Sequence, residues 1–75
     1  MLNREPKRGD SYNIAQGATL YRIDIDGGLI FSEIASKPIL AMFVDLEKED
    51  HAKVIVGDKI RCVGLETLRE IKNEG

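Results

Sequence analysis

The residue types that carry acid–base and metal chemistry meet at one point in this chain, where Glu49, Asp50 and His51 are consecutive. A carboxylate beside an imidazole can act as a general base, and all three side chains are possible metal ligands. However, the sequence ties no serine or cysteine nucleophile to them, and adjacent side chains on a loop rarely converge. His51 is the single histidine and Cys62 the single cysteine, which are too few ligands for a structural zinc site. We therefore expect no catalytic, cofactor or metal site, and no enzymatic activity.

Basic side chains offer a different chemistry, contact with the phosphates of a nucleic acid. Three of them fall on one predicted strand face, and three more lie near the N-terminus. The candidate nucleic-acid contacts are Lys53, Lys59, Arg61, Arg4, Lys7 and Arg8. The formal net charge of −2 and the pI of about 5.3 lack the basic footprint that such binders often carry. Stacking on aromatic rings is worth ~1–3 kcal/mol per base, yet aromatic residues make up 5% of the chain.

The elements that must position these residues begin with a hairpin. Apolar and charged residues alternate strictly over residues 21–26, which is the period of a half-buried strand. Gly27 and Gly28 then suit a two-residue turn with positive φ, and residues 29–34 resume as a second strand. The pattern therefore predicts a β-hairpin closed by the two glycines.

Closing the hairpin at Gly27-Gly28 defines its register. The predicted cross-strand pairs are Ile25 with Ile30, Tyr21 with Ile34, and Arg22 with Glu33. In this register Leu29 and Phe31 lie opposite Asp26 and Asp24, away from the main apolar face. An apolar ring on a charged face is normally covered by protein. We therefore predict Leu29 and Phe31 as an interface with another protein or protomer.

Further strands are expected in the second half of the chain. Residues 39–44 are apolar on both faces, which favours a strand at the centre of a sheet. Residues 45–51 form either a charged loop or a single helical turn capped by Asp45. Residues 52–64 read as a second hairpin about Gly57-Asp58, and a bulged turn there would bury Val54, Val56, Ile60 and Cys62 on one face. It would also place Lys53, Lys59 and Arg61 together on the outer face.

The two ends of the chain have different patterns and lead to different predictions. Residues 1–16 lack a sustained apolar period, which predicts an extended N-terminal arm that becomes ordered near Tyr12 and Ile14. Residues 17–75 then form a single small β domain. Leu65, Leu68 and Ile71 recur every third residue among good helix formers, which favours a short C-terminal amphipathic helix. A terminal strand is the alternative.

The segment 56–64 begins with an apolar residue and Gly-Asp, continues with a run that alternates between charged and apolar residues, and ends at Gly64. It resembles a segment found in small β-barrels of the OB, SH3-like and Sm-like types. The resemblance covers these nine residues and implies a fold that often binds nucleic acid or peptides, although function belongs to sites rather than to folds. With the patterns above, it predicts a mainly β protein of about five strands, in a small barrel or a strongly bent antiparallel sheet, with the C-terminal helix.

A chain of 75 residues builds a marginal core, because so short a chain buries only ~60% of its unfolded surface. Small domains often stabilise such a core with a disulfide, a metal or a partner subunit. The sequence offers neither an intramolecular disulfide nor a zinc site, so we expect stabilisation by self-association. No signal-peptide or membrane-spanning pattern is present, and a lone thiol suits a reducing compartment, so we expect a cytoplasmic protein. The leading functional prediction is a non-enzymatic protein-protein interaction module that associates with itself. The alternative is an OB-like or Sm-like nucleic-acid-binding domain.

Overall fold

The computed structural model describes residues 5–71, and more than half of the residues in that range form β-strands. The seven strands are β1 (Ser11–Ile14), β2 (Thr19–Ile23), β3 (Leu29–Ile34), β4 (Ile39–Glu47), β5 (His51–Val56), β6 (Lys59–Gly64) and β7 (Leu68–Glu70). A 3-10 helix of three residues, Leu65–Thr67, joins β6 to β7. The protein is therefore mainly β, as predicted.

All seven strands form one antiparallel sheet in the order β3-β2-β6-β5-β4-β1-β7. The sheet is open rather than closed into a barrel, because β3 and β7 each pair with one neighbour and not with each other. It curls strongly, since Leu20 of β2 and Ile14 of β1 belong to one buried cluster although three strands lie between theirs. The strongly bent sheet is therefore the form adopted, with seven strands instead of five.

The core lies on the inner face of this curl. The largest fully buried residues of the core cluster are Ile14, Leu20, Val54, Val63 and Leu68. Four of the eleven cluster residues are alanines, at positions 18, 35, 41 and 52. Small side chains fit where a curled sheet brings its strands together, but each of them buries little apolar area. The interior is thus close-packed and small.

The first hairpin forms, but its predicted register is wrong. Tyr21 lies opposite Phe31 and Ile23 opposite Leu29. The strands are joined by the three-residue loop 25–27, because the Asp24 N–H donates to the Gly28 carbonyl (2.7 Å) and the Gly27 N–H donates to the Asp24 carbonyl (2.8 Å). The predicted pairs of Ile25 with Ile30, Tyr21 with Ile34 and Arg22 with Glu33 are therefore not formed.

Two consequences follow from the longer loop. Ile25 leaves the predicted apolar face and stands at the loop tip, 96% exposed. Leu29 and Phe31 lie on the same face as Tyr21 and Ile23 instead of the opposite one, because directly paired residues share a face. The alternation of apolar and charged residues continues to Asp26, although the strand ends at Ile23. The sequence pattern therefore does not show where the loop begins.

The second hairpin also differs from its prediction. Val56 pairs with Lys59, so Gly57-Asp58 is a two-residue turn without a bulge, and Gly57 takes the positive φ of 65° that a type II′ turn requires at its first central position. Val54 therefore lies opposite Arg61. The expected burial of Ile60 on the face of Val54 is wrong, because Val56 is only half-buried near the end of the sheet and long cationic side chains can extend past that end into water.

The N-terminal segment becomes ordered at Tyr12 and Ile14, as expected, where residues 11–14 form β1 between β4 and β7 and both side chains are buried. The predicted C-terminal amphipathic helix is wrong for residues 68–71, because β7 pairs there with β1, as in the alternative of a terminal strand. Leu68 lies opposite Ile14, both fully buried, so pairing and burial outweigh helix propensity. The charged segment 45–51 extends β4 to Glu47 and then turns, with Lys48 at φ 64°.

The loop geometry predicts which of two adjacent glycines is needed. Gly27 has φ +85°, whereas Gly28 does not have a positive φ, and a Cβ at either position would meet no atom within 4 Å. Gly27→Ala should lower the free energy of unfolding by about 1–2 kcal/mol, since an L residue is strained in this conformation. Gly28→Ala is the matched control and should change it by much less. Urea denaturation measures both, and equal effects would show that the loop is not the one described.

Candidate interaction surface

The face of the sheet opposite the core carries a broad apolar surface, which we call the outer face. Its apolar members share this face because they are cross-strand partners or are separated by two positions on one strand. They are Tyr21, Ile23, Leu29, Phe31, Ile34, Leu40, Met42, Ile55, Ile60 and Cys62. The predicted interface residues Leu29 and Phe31 are among them.

Two rows of paired residues cross the outer face. In one, Ile60 of β6 lies opposite Ile55 of β5, which lies opposite Met42 of β4. The other row consists of Phe31, Tyr21, Cys62, Lys53 and Asp45, on β3, β2, β6, β5 and β4 respectively. The apolar surface therefore extends across five neighbouring strands and becomes polar where the second row reaches β5 and β4.

Large side chains on this face remain in contact with solvent. Leu40 is 60% exposed, Phe31 58% and Ile60 52%. The inner face carries Ala41 and Ala52 beside larger buried residues such as Leu20. Large apolar side chains therefore lie on both faces of the sheet, and those on the outer face remain in contact with water.

Charged groups of both signs border the outer face. Lys53 Nζ lies 3.7 Å from Glu47 Oε1. On the far side of β4, Arg8 donates to the Val44 carbonyl (3.0 Å) and lies 3.3 Å from Asp45 Oδ2. The Arg8–Asp45 pair is exposed and contributes at most about 1 kcal/mol to folding, whereas Lys53 and Glu47 are half-buried. Together the two pairs give the rim alternating charge.

The structure brings His51 and Asp50 into contact, contrary to the expectation that adjacent side chains do not converge. His51 Nδ1 lies 2.7 Å from Asp50 Oδ1, and the imidazole ring meets Tyr21 edge-on, with ring centroids 5.9 Å apart. Within residues 5–71, no group of three or more His, Cys, Asp or Glu side chains is placed to hold a metal ion. The carboxylate therefore orients the imidazole in a small aromatic contact.

Cys62 is fully buried, as predicted, but on the outer face between Tyr21 and Lys53 rather than in the core cluster. Burial raises the pKa of its thiol, and the negative charge of Glu47 raises it further, against the opposing effect of Lys53 and Lys48. The thiolate is the nucleophilic form of cysteine. Cys62 is therefore held as an unreactive apolar group.

The three candidate nucleic-acid contacts of the second hairpin do not share one face. The register places Lys53 on the outer face, and Lys59 and Arg61 on the face of Val54 and Val56. The predicted shared basic face is therefore wrong. Arg61 donates through Nη1 to the Ile60 carbonyl (2.8 Å), and its buried Nε has no partner among the described atoms.

The two described N-terminal candidates, Lys7 and Arg8, both lie near carboxylates. Lys7 lines an open cleft of about 330 Å3 together with Asp10 and Glu70. Arg8 faces Asp45, as described above. Arg4 lies outside the described residues. Phosphate contact by any of these six residues stays a prediction from the sequence.

Sequence reasoning missed Leu40, Met42, Ile55 and Ile60 as members of an exposed surface. A signal for two of them was present, since residues 39–44 are apolar on both faces. That pattern predicted a strand at the centre of a sheet, and this prediction is confirmed because β4 lies between β5 and β1. Within β4, however, only Ala41 and Phe43 on its inner face are buried.

Comparison of the chain with models of known protein families, with curated proteins and with solved structures gave no match in any of the three. Within residues 5–71, no helix has the length and apolar character needed to cross a bilayer. The assignment of the outer face as a candidate interaction surface therefore rests on the geometry and exposure described above.

The buried thiol predicts a pH effect on stability. Because its pKa is raised above the ordinary value of about 9, the thiol stays protonated in the folded chain at a pH where the unfolded chain ionises. Its stabilising effect is complete below the unfolded pKa and is lost as pH rises toward the folded pKa. The difference in unfolding free energy between the wild type and Cys62→Ala should therefore narrow from pH 7 to pH 10.

Urea titrations of both proteins at both pH values measure this difference. The pH-dependent contributions of titratable groups that the two proteins share cancel when their unfolding free energies are subtracted. A constant or widening difference would contradict the buried placement.

Proposed function

We propose that this protein is a non-enzymatic interaction module that binds protein, including copies of itself, through the outer face. The observation that carries the proposal is the exposure of large apolar side chains on one face of the sheet, where Leu40, Phe31 and Ile60 are each more than half exposed. Exposed apolar area has no stabilising role in the isolated chain. It becomes stabilising when another surface removes it from water.

The available area supports binding of this kind. Leu40, Phe31 and Ile60 alone expose roughly 300 Å2, taking ~150–200 Å2 for each full side chain. Patches of about 300–600 Å2 on monomers are often functional. At about 25 cal/mol per Å2, these three side chains offer roughly 7 kcal/mol per copy before the entropic cost of association. Met42 and the half-buried members of the outer face add to this area.

The rim supports a second copy as one partner. A symmetric dimer interface uses the same patch on both subunits, so the patch must be complementary to itself. A rim of one charge would repel its copy, whereas Lys53 and Glu47 on one border offer both signs. Two copies related by a twofold axis can therefore pair charges reciprocally around an apolar centre.

A nucleic-acid interface has less support. Lys53 lies on the opposite face from Lys59 and Arg61, and both Lys53 and Arg8 already face carboxylates. Phosphate binding would have to displace Glu47 and Asp45. We therefore do not propose this alternative.

Replacing an outer-face residue should weaken assembly. Ile60→Lys introduces a charge at an exposed position, so the fold should survive while the burial of this residue against a partner becomes unfavourable. Sedimentation velocity at several concentrations should show assembly of the wild type at micromolar protein and smaller species for the variant.

The matched control is Ile25→Lys, since Ile25 is even more exposed but stands at the loop tip. It should assemble like the wild type. The proposal would be wrong if the wild type sediments as a folded monomer at high micromolar concentration, or if the two variants behave alike.

A further inference from the structure

The two edges of the open sheet differ in their suitability for pairing with another strand. At one edge, β7 has three residues and carries Arg69 and Glu70. A short and charged edge strand resists the addition of another chain. At the other edge, β3 has six residues with no lysine or proline, and Glu33 is its single charge. The β3 edge therefore lacks the usual protection apart from one bulge.

That bulge lies at Ser32, where the pairing of β3 with β2 shifts between Phe31 and Glu33. Bulges are one device that discourages edge pairing. Here it leaves Leu29, Ile30 and Phe31 in a continuous register with Ile23, Arg22 and Tyr21. These three residues present a regular segment of strand at the open edge.

The strand is apolar and exposed on both of its faces. Phe31, on the outer face, is 58% exposed, and Ile30, which points to the opposite face, is 41% exposed. A partner lying on the outer face would cover Phe31 but could not reach Ile30. A strand added beside β3 places side chains on both faces at once, and so covers both residues.

We propose that a second copy of this chain pairs its β3 antiparallel to β3, so that the two sheets become one. The inference rests on the proposed self-association and names the element that joins the copies. Antiparallel pairing of a strand with its own copy is isologous, and it places apolar residues beside apolar residues. The remaining edges of the joined sheet are both β7, whose length and charges stop further growth. A closed dimer results rather than a fibre.

The arrangement also joins the two outer faces. Leu29, Phe31 and Ile34 are the apolar outer-face residues on β3 itself. Pairing at that edge brings the two copies of these residues together, and the apolar surface continues from one copy into the next. The edge-paired dimer therefore presents a doubled outer face for further protein contacts.

The experiment compares three variants by sedimentation over a range of concentrations. Ile30→Lys places a charge on the edge strand but not on the outer face, and it should weaken dimer formation by about tenfold or more. Ile60→Lys should remove contacts made by the outer face while leaving an edge-paired dimer. Ile25→Lys should match the wild type. Circular dichroism shows whether each variant is folded.

Amide hydrogen exchange of the wild type provides a second measurement that needs no substitution. The exchange of β3 amides should slow by about tenfold or more on going from dilute to concentrated protein, while that of β7 amides stays the same. If Ile60→Lys weakens assembly but Ile30→Lys does not, and β3 exchange is independent of concentration, the proposed function stands and edge pairing is wrong. If the wild type remains monomeric, both fail.

Discussion

A single curled sheet can enclose one of its two faces, and the other features of this protein depend on that constraint. The inner face closes because β1 enters between β4 and β7, where Ile14 meets Leu68 and both are fully removed from solvent. No second layer within the described residues covers the outer face. The side chains of Leu40, Phe31 and Ile60 therefore remain exposed, although burial of each would contribute about 1.5–3 kcal/mol.

The location of the strands was predictable from the sequence, but their register was not. Strict alternation over residues 21–26 and the glycines that follow identify a hairpin. The same alternation continues through Ile25, so it cannot show that the strand ends at Ile23. The register depends instead on Gly27 in the left-handed region and on the bonds between Asp24 and Gly28, which involve backbone atoms and leave a weak trace in residue pattern. Because that change of register moves a side chain to the other face, it altered the predicted core and the predicted interface together.

Tertiary context decided the remaining differences. Leu65, Leu68 and Ile71 have helical spacing, but the segment lies beside β1, whose open edge offers hydrogen bonds and a buried site for Leu68. The prediction for Lys59 and Arg61 assumed that cations avoid the face of Val54. The assumption fails because Lys59 is exposed beside the turn, and the half-buried Arg61 donates to the Ile60 carbonyl. Leu29 and Phe31 were correctly assigned to an apolar surface outside the core, but the register from which this was predicted, with Asp26 and Asp24 opposite them, is wrong. The wider extent of that surface, across β4, β5 and β6, required knowledge of which strands are neighbours.

The central claim is that covering the outer face contributes to the stability of this protein, and the dependence of unfolding on concentration tests it most directly. When an assembled protein unfolds to separate chains, its stability rises with total concentration by mass action. A hundredfold rise should add about 2.7 kcal/mol to the unfolding free energy of each dimer, and more to that of a larger assembly. We predict that the urea midpoint of the wild type increases over such a range and that the increase is smaller for Ile60→Lys, which keeps only the edge-paired contacts. A wild-type midpoint that is high and independent of concentration would contradict the account, because it would show that the curled sheet is stable with its outer face in water.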